Sequence, residues 1–249
     1  MNQTIEQLSS RKSIRQFTGE SVKAEDLDLI IKTAQRCPTS INGQQISLVY
    51  TKDKEKIKQI AELCGKQEQV ATADVFITIV VDFNRTAFAV EQAGETQLIE
   101  KSVEGILVGA VDAGIMLNAI QVAAESLGYG TTAIGAIRSA PEEMIKLLGL
   151  PPKTFPIVAT TIGVPTKEAV NAPLKPRIPI NSFSFEDNYN DKSVKDGVLI
   201  YEKQMKQFRE DHNMNYLQSY CDQTANYYKN IYSRKIAKNY KSQGFEFKD

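Results

Sequence analysis

Ser10-Arg11-Lys12-Ser13-Ile14-Arg15-Gln16-Phe17 is the stretch on which the reading of this chain turns. Three cations and two hydroxyls crowd its first six residues, in a chain whose 30 basic and 30 acidic residues balance to a formal charge of zero. Such a cluster repels itself unless solvent separates the side chains or an anion is held among them. Two readings stand side by side. In one, the cations complement the C-terminal dipole of a first short helix. In the other they grip a phosphate: arginine offers a planar fork, lysine a point charge and Ser13 a short hydroxyl. Far along the chain lies a second cluster, Lys175-Pro176-Arg177. On the phosphate reading the two clusters close on one anion.

The rest of the chain is ordinary enough to make local chemistry the only guide. At 249 residues, with 42 % apolar and 24 % charged residues, it has the composition of a globular protein with a normal core. The charge balance supplies no overall field to draw nucleic acid or an anionic membrane, so neither is expected as a partner. Cys37, Cys64 and Cys221 are odd in number, widely spaced and without a Cys-x-x-Cys. That argues against a disulfide framework or a zinc site and fits a reducing compartment. The opening MNQTIEQLSS lacks a signal-peptide pattern, and a cytoplasmic location is expected. The single histidine, His212, sits in the polar run Arg209-Glu210-Asp211-His212-Asn213, which reads as surface. A His-dependent triad or multi-His metal site has nowhere else to pass. We therefore nominate no catalytic side chain and no metal ligand, and expect a cofactor to carry any chemistry.

Periodicity predicts an amphipathic helix over 24–34, a strand over 45–51, a helix over 54–64 and a doubly buried strand over 75–81. The longest predicted element is a helix from about 97 to 127. It is apolar nearly all round, with Gly105, Gly109 and Ala113 at four-residue spacing, and reads as a buried helix whose small-residue face admits another helix. Asp112, Asn118, Gln121 and Glu125 interrupt the run and argue against a membrane span. Strands over 131–137 and 157–164 follow, with a short helix over 141–148 between them. After Pro165 the chain turns polar and irregular, then helical and rich in tyrosine and lysine. The expected organisation is an α+β core over 1–165 and an extension over 166–249 that wraps a partner subunit.

Gly128-x-Gly130 with a later Gly135 imitates a dinucleotide fingerprint, but Ala133 holds the third glycine's place, and the run leaves a helix and enters a strand. The run Pro38-Thr39-Ser40-Ile41-Asn42-Gly43-Gln44-Gln45 is more informative. It suits a turn, and equally it offers two hydroxyls and three amides to the edge of a planar heterocycle.

Taken together, Ser10–Phe17, Pro38-Thr39-Ser40-x-Asn42-x-Gln44, Ala123-Ala124-Glu125-Ser126-Leu127-Gly128-x-Gly130, Ile134-Gly135-Ala136-Ile137-Arg138 and Leu174-Lys175-Pro176-Arg177-Ile178-Pro179 resemble the FMN-dependent nitroreductases. The nearest branch is that of the oxygen-insensitive NADPH nitroreductases and NADPH–flavin oxidoreductases. The resemblance implies an α+β fold with a central mixed or antiparallel sheet, and a homodimer with FMN near the subunit interface. It implies that Arg11, Lys12, Ser13 and Arg15 hold the FMN phosphate and ribityl chain, with Lys175 and Arg177 completing the site. Thr39, Ser40 and Asn42 would reach the flavin from the partner subunit, Gln67 would contact it, and Ala133, Ile134, Gly135 and Ala136 would line the ring. Glu104 falls where the family has an acid near the pocket. The implied activity is electron transfer from NADPH or NADH to a small-molecule acceptor such as a nitroaromatic, a quinone or free flavin, by a ping-pong cycle. Two alternatives are an FMN-binding module or sensor without turnover and, through the basic, tyrosine-rich 228–242 segment, a nucleic-acid-binding protein. The Arg-Lys at 11–12 departs from the branch's His-Arg. After residue 200 the cations Lys203, Lys206 and Arg209 have no clear counterpart among the branch's nicotinamide-phosphate ligands, so the choice between NADPH and NADH stays open.

Overall fold

The computed structural model describes residues 2–231 and 233–248. The chain forms two compact units, Met1–Asn171 with Ser233–Asp249, and Ala172–Tyr232. The first is an α+β body. Its helices are α1 (Gln3–Ser10), α2 (Ala24–Ala34), α3 (Lys54–Leu63), α4 (Glu68–Ala71), α5 (Phe83–Gln92), α6 (Val103–Ser126), α7 (Pro141–Leu148) and α8 (Lys167–Asn171). Its strands β1 (Ile46–Thr51), β2 (Val75–Asp82), β3 (Gly130–Ile134) and β4 (Thr154–Gly163) form one antiparallel sheet in the order β1-β2-β4-β3. The second unit carries α9 (Asp191–Asp211) and α10 (Tyr220–Tyr228), and α11 (Ile236–Ser242) returns to the first.

Local chemistry sets the helix ends. Asp53 caps α3 by accepting from the backbone N–H of Glu55 and Lys56. Pro141 opens α7 and Gly149, at φ 64°, closes it. The long helix begins at Val103, because Ser102 accepts from the Gly105 N–H and the preceding Ile99–Lys101 forms a separate 3-10 turn.

Strand β2 lies inside the sheet, which explains its unbroken apolar run. Ile77, Ile79 and Val81 pack with Ala113, Met116 and Ile120 of α6. Phe76 faces the other layer with Ile57, Ile60, Val70 and Met144. On the small-residue face of α6, Gly105 and Gly109 meet the sheet and the preceding turn, while α2 also packs against α6. A Cβ on Gly109 would lie 2.8 Å from the Val81 methyls, and one on Gly105 would strike the Ile99 carbonyl. Glycine lets this helix lie directly on the sheet and on its own preceding turn. Contrary to expectation, α6 is not buried all round: Leu107 is 55 % and Val111 61 % exposed. By length and composition α6 could cross a bilayer, yet it carries a buried Asp112 and packs along the sheet.

Residues 233–248 return to the first unit and leave the extension expected over 166–249. Tyr240 stacks on Phe155 at 3.9 Å between ring centroids, and Phe245, fully buried, meets Phe83 edge-on at 6.0 Å. Gln243 ties this segment to the carbonyls of Pro151 and Thr154, and the Glu246 N–H donates to the Glu100 carbonyl. Buried Glu100, 1 % exposed, has Lys153 Nζ 2.9 Å from its carboxylate. In the second unit, Gly197 of α9 admits Ser182 at a distance no side chain would tolerate. Buried Arg209 donates to the Gln218 carbonyl at 3.1 Å.

Glycine also seats the basic run. A Cβ at Gly130 would fall 2.5 Å from Ile14 Cγ2. Gly130→Ala is therefore expected to destabilise the protein by about 1–3 kcal/mol through overpacking, measured as a lowered urea midpoint. An unchanged midpoint would show that Ile14 has room to move.

Candidate functional site

Two anchors hold the basic run against the edge strand β3. The Ile14 N–H donates to the Thr131 carbonyl at 2.8 Å, and Thr132 Oγ1 donates back to the Ile14 carbonyl. With Ile14 buried, its neighbours turn outward, and Arg15 is exposed with no ion pair among the described residues. Arg11 takes the opposite course: its guanidinium donates to Gln121 Oε1 at 2.7 Å and lies 3.6 Å from Glu125. Burial pushes the Glu125 carboxyl up, against the hydrogen bond from Thr131 and the charge of Arg11. Lys12 donates to the Val170 carbonyl. Ser13 is half-buried between these cations.

The expected ring-lining residues belong to the same edge. Gln121 donates to Thr160 Oγ1, which in turn donates to the Thr132 carbonyl, so Arg11 is wired to the residue before Ala133. Strand β3 ends at Ile134, short of the expected Ile137. Gly135–Arg138 coils into a 3-10 turn that buries Ile137 beside Ile134. Ala133 and Gly135 are exposed. The space above Gly135 is open: a Cβ there would meet only Arg138 Nη2, at 3.6 Å. A planar ring could approach the backbone closely at that point. Gln67, at the start of α4, accepts from Gln69. Its helix packs through Val70 into the apolar cluster that holds Ile134 and Ile137. Within the first unit, then, the basic run and the 133–136 edge are neighbours, and Gln67 lies in the layer beneath that edge.

The Thr39–Gln45 loop stands elsewhere. Its Ser40 N–H and its Gln45 side chain both donate to Asp112 of α6. Asp112 and Gln121 are separated by roughly 14 Å along that helix. Thr39 accepts from the Gln44 N–H at 3.0 Å, while Asn42 is exposed. Glu104 is exposed in the first turn of α6 and, with Ser40, Ile41 and Gln45, borders a cavity of about 440 Å³. Asp112 is the residue that sequence reasoning missed. Its signal was an acid in the middle of an apolar helix.

Lys175 and Arg177 belong to the second unit. Both are exposed, and the Arg177 guanidinium donates to the carbonyls of Lys175 and Pro176. Burial raises the Tyr201 phenol, and the charge of Arg177 lowers it against that trend. Lys206 lies 3.9 Å from Glu210, so of the cations on α9 only Lys203 is without a described partner.

The donor types suit a phosphorylated flavin: fork-shaped and point cations within five residues of one another, on a run anchored to the strand that leads into an exposed, glycine-containing edge. The Nitroreductase family matches residues 8–164, and the Nitroreductase family C-terminal domain matches 175–248. The FMN reductase [NAD(P)H] of Bacillus subtilis (strain 168) is 38 % identical over 249 residues, covering 99 % of both chains. Among solved structures, NfrA2 of B. megaterium superposes with a TM-score of 0.95 at 38 % identity over 100 % of both chains. The NADPH:FMN oxidoreductase of Vibrio harveyi, complexed with NAD+, gives 0.86 at 27 % identity over 98 % of both.

Proposed function

Because this chain belongs to the nitroreductase family, we propose that it is an FMN-dependent oxidoreductase drawing on NADPH or NADH and reducing nitroaromatics, quinones or free flavin in a ping-pong cycle. Bound FMN supplies the hydride and electron chemistry; the chain's residues bind, orient and exclude water. The observation that carries this reading is the basic run pinned by Ile14 beside the open 133–136 edge. Arg11, Lys12, Ser13 and Arg15 hold the phosphate, and Lys175 and Arg177 add charge to it. Gln67 and Ala133–Ala136 flank the ring, and Thr39, Ser40 and Asn42 approach from a second protomer.

A homodimer is part of the proposal. It is supported by the exposed stripe Val103, Leu107, Val111 and Ile115 at four-residue spacing on α6. The distance along α6 between the Thr39–Gln45 loop and the basic run also favours it, since a loop held so far from its own cations is better placed to serve another copy.

The test is colour. Purified protein should absorb as oxidised flavin and bleach anaerobically on addition of NADH or NADPH, with the two rates giving the nicotinamide preference. A yellow protein that neither nucleotide bleaches would be a binding module, and a colourless one that takes up no FMN would end the reading.

A further inference from the structure

Strain in the Thr39–Gln45 loop needs an explanation. Ile41, Asn42 and Gln44 all have left-handed backbones, at φ 50°, 55° and 54°. Asparagine tolerates this region, but a β-branched isoleucine is an outlier there. Ile41 gains no burial in return, being 96 % exposed. Such strain persists only where surrounding contacts over-determine it, and it collects at functional sites. Internal bonds from Asn42 N–H to the Thr39 carbonyl and from Gly43 N–H to the Ser40 carbonyl shape the turn without fixing it to the body.

Asp112 does the fixing. It is 4 % exposed. Its two oxygens lie 3.3 and 3.2 Å from Ser40 N, and Gln45 Nε2 lies 2.5 Å from Oδ2. No cation pairs with this carboxylate among the described residues. A buried carboxylate is costly unless hydrogen-bonded, and both ends of the strained turn supply those bonds. Gly43 keeps the arrangement possible, because a Cβ there would overlap Gln45 Oε1. The loop so held is a partition. Thr39 and Gln44 face a cavity of about 280 Å³ with Cys37 and Met116. Ser40, Ile41 and Gln45 face the one of about 440 Å³.

We infer that Asp112 is a positioning residue: it fixes the pose in which the Thr39–Gln45 loop presents its hydroxyls to the flavin. This rests on the flavin reading of the loop given above. The test compares wild type, Asp112→Asn, Gln45→Met, the double variant and Arg15→Ala. Each is titrated with FMN by fluorescence quenching, the visible circular dichroism of bound FMN is recorded, and the thermal midpoint is measured without FMN. Asparagine removes the charge and turns one of the two oxygens facing Ser40 N into a donor, and methionine keeps the length of Gln45 without its donor.

Each single variant should bind FMN about tenfold more weakly, the loss of a charge-assisted hydrogen bond. The flavin dichroism should change, and the double variant should be no weaker than the weaker single. Unaltered FMN affinity and dichroism in both singles, with Arg15→Ala weakened, would overturn the inference and leave the flavin reading standing. A lowered thermal midpoint with unaltered FMN binding would overturn it equally, since Asp112 would then be structural only. If no variant alters FMN binding, Arg15→Ala included, the flavin reading falls and the inference with it. Should Asp112→Asn not fold, Gln45→Met probes the same contact from its other end.

Discussion

Arg15→Ala is expected to weaken FMN binding by about 1.5–3 kcal/mol, roughly ten- to hundredfold. The size follows from how differently the two arginines of the run are engaged. Arg11 is committed to Gln121 and lies near Glu125, so its removal would disturb the helix–strand contact as well as any ligand. Arg15 is exposed, has no described ion pair, and is aimed by the buried Ile14 beside it. Its loss should therefore appear in ligand affinity and hardly in stability. Arg177→Ala, outside the first unit, is expected to fall in the same range if its charge serves the same phosphate. Fluorescence titration of each variant decides the matter, and undiminished affinity in both would mean that the phosphate is gripped elsewhere.

The second large effect concerns α6. If α6 forms the interface of the proposed dimer, Leu107→Glu is expected to convert it to a monomer, with a loss on the order of 3–5 kcal/mol for an uncompensated charge at a desolvated interface. Leu107 is exposed within one chain and has Val103 and Val111 one turn to either side. The substitution therefore leaves the core of the protomer untouched. FMN retention should fall together with dimerisation, because Thr39 and Ser40 would no longer reach the partner's flavin. Sedimentation velocity read at the flavin absorbance checks both at once. A monomer carrying a full complement of FMN would contradict the shared site.

What the sequence disclosed, and what it hid, follows the range of the interactions. The basic run and the Thr39–Gln45 loop stood out in the sequence as candidates because their chemistry is local: cations and hydroxyls declare themselves within a few positions. Strand β2 was legible because an interior strand needs no alternation. The outward face of α6 was not. A helix apolar all round has no periodicity to separate Gly109, which meets Val81, from Val111, which faces outward. The end of β3 was misjudged because apolar residues run on to Ile137, yet Ile137 stands three positions from Ile134, out of the strand's alternation, and is buried by a tight turn. Asp112 counted only as an interruption in an apolar run, for its partners lie some seventy positions away in the sequence. The homing of Tyr240 and Phe245 onto Phe155 and Phe83 left no trace, since isolated aromatics in a polar segment carry no pattern.

That last contact has a bearing on how the molecule is made. Translation delivers β4 early and Phe245 late, with the entire second unit in between. Until Phe245 emerges, the aromatic floor beside Phe83 and Phe155 lies open on a nascent body whose sheet is already complete. Open apolar surface of that kind invites aggregation or chaperone capture. The hazard lasts until Tyr240 and Phe245 close over those two rings.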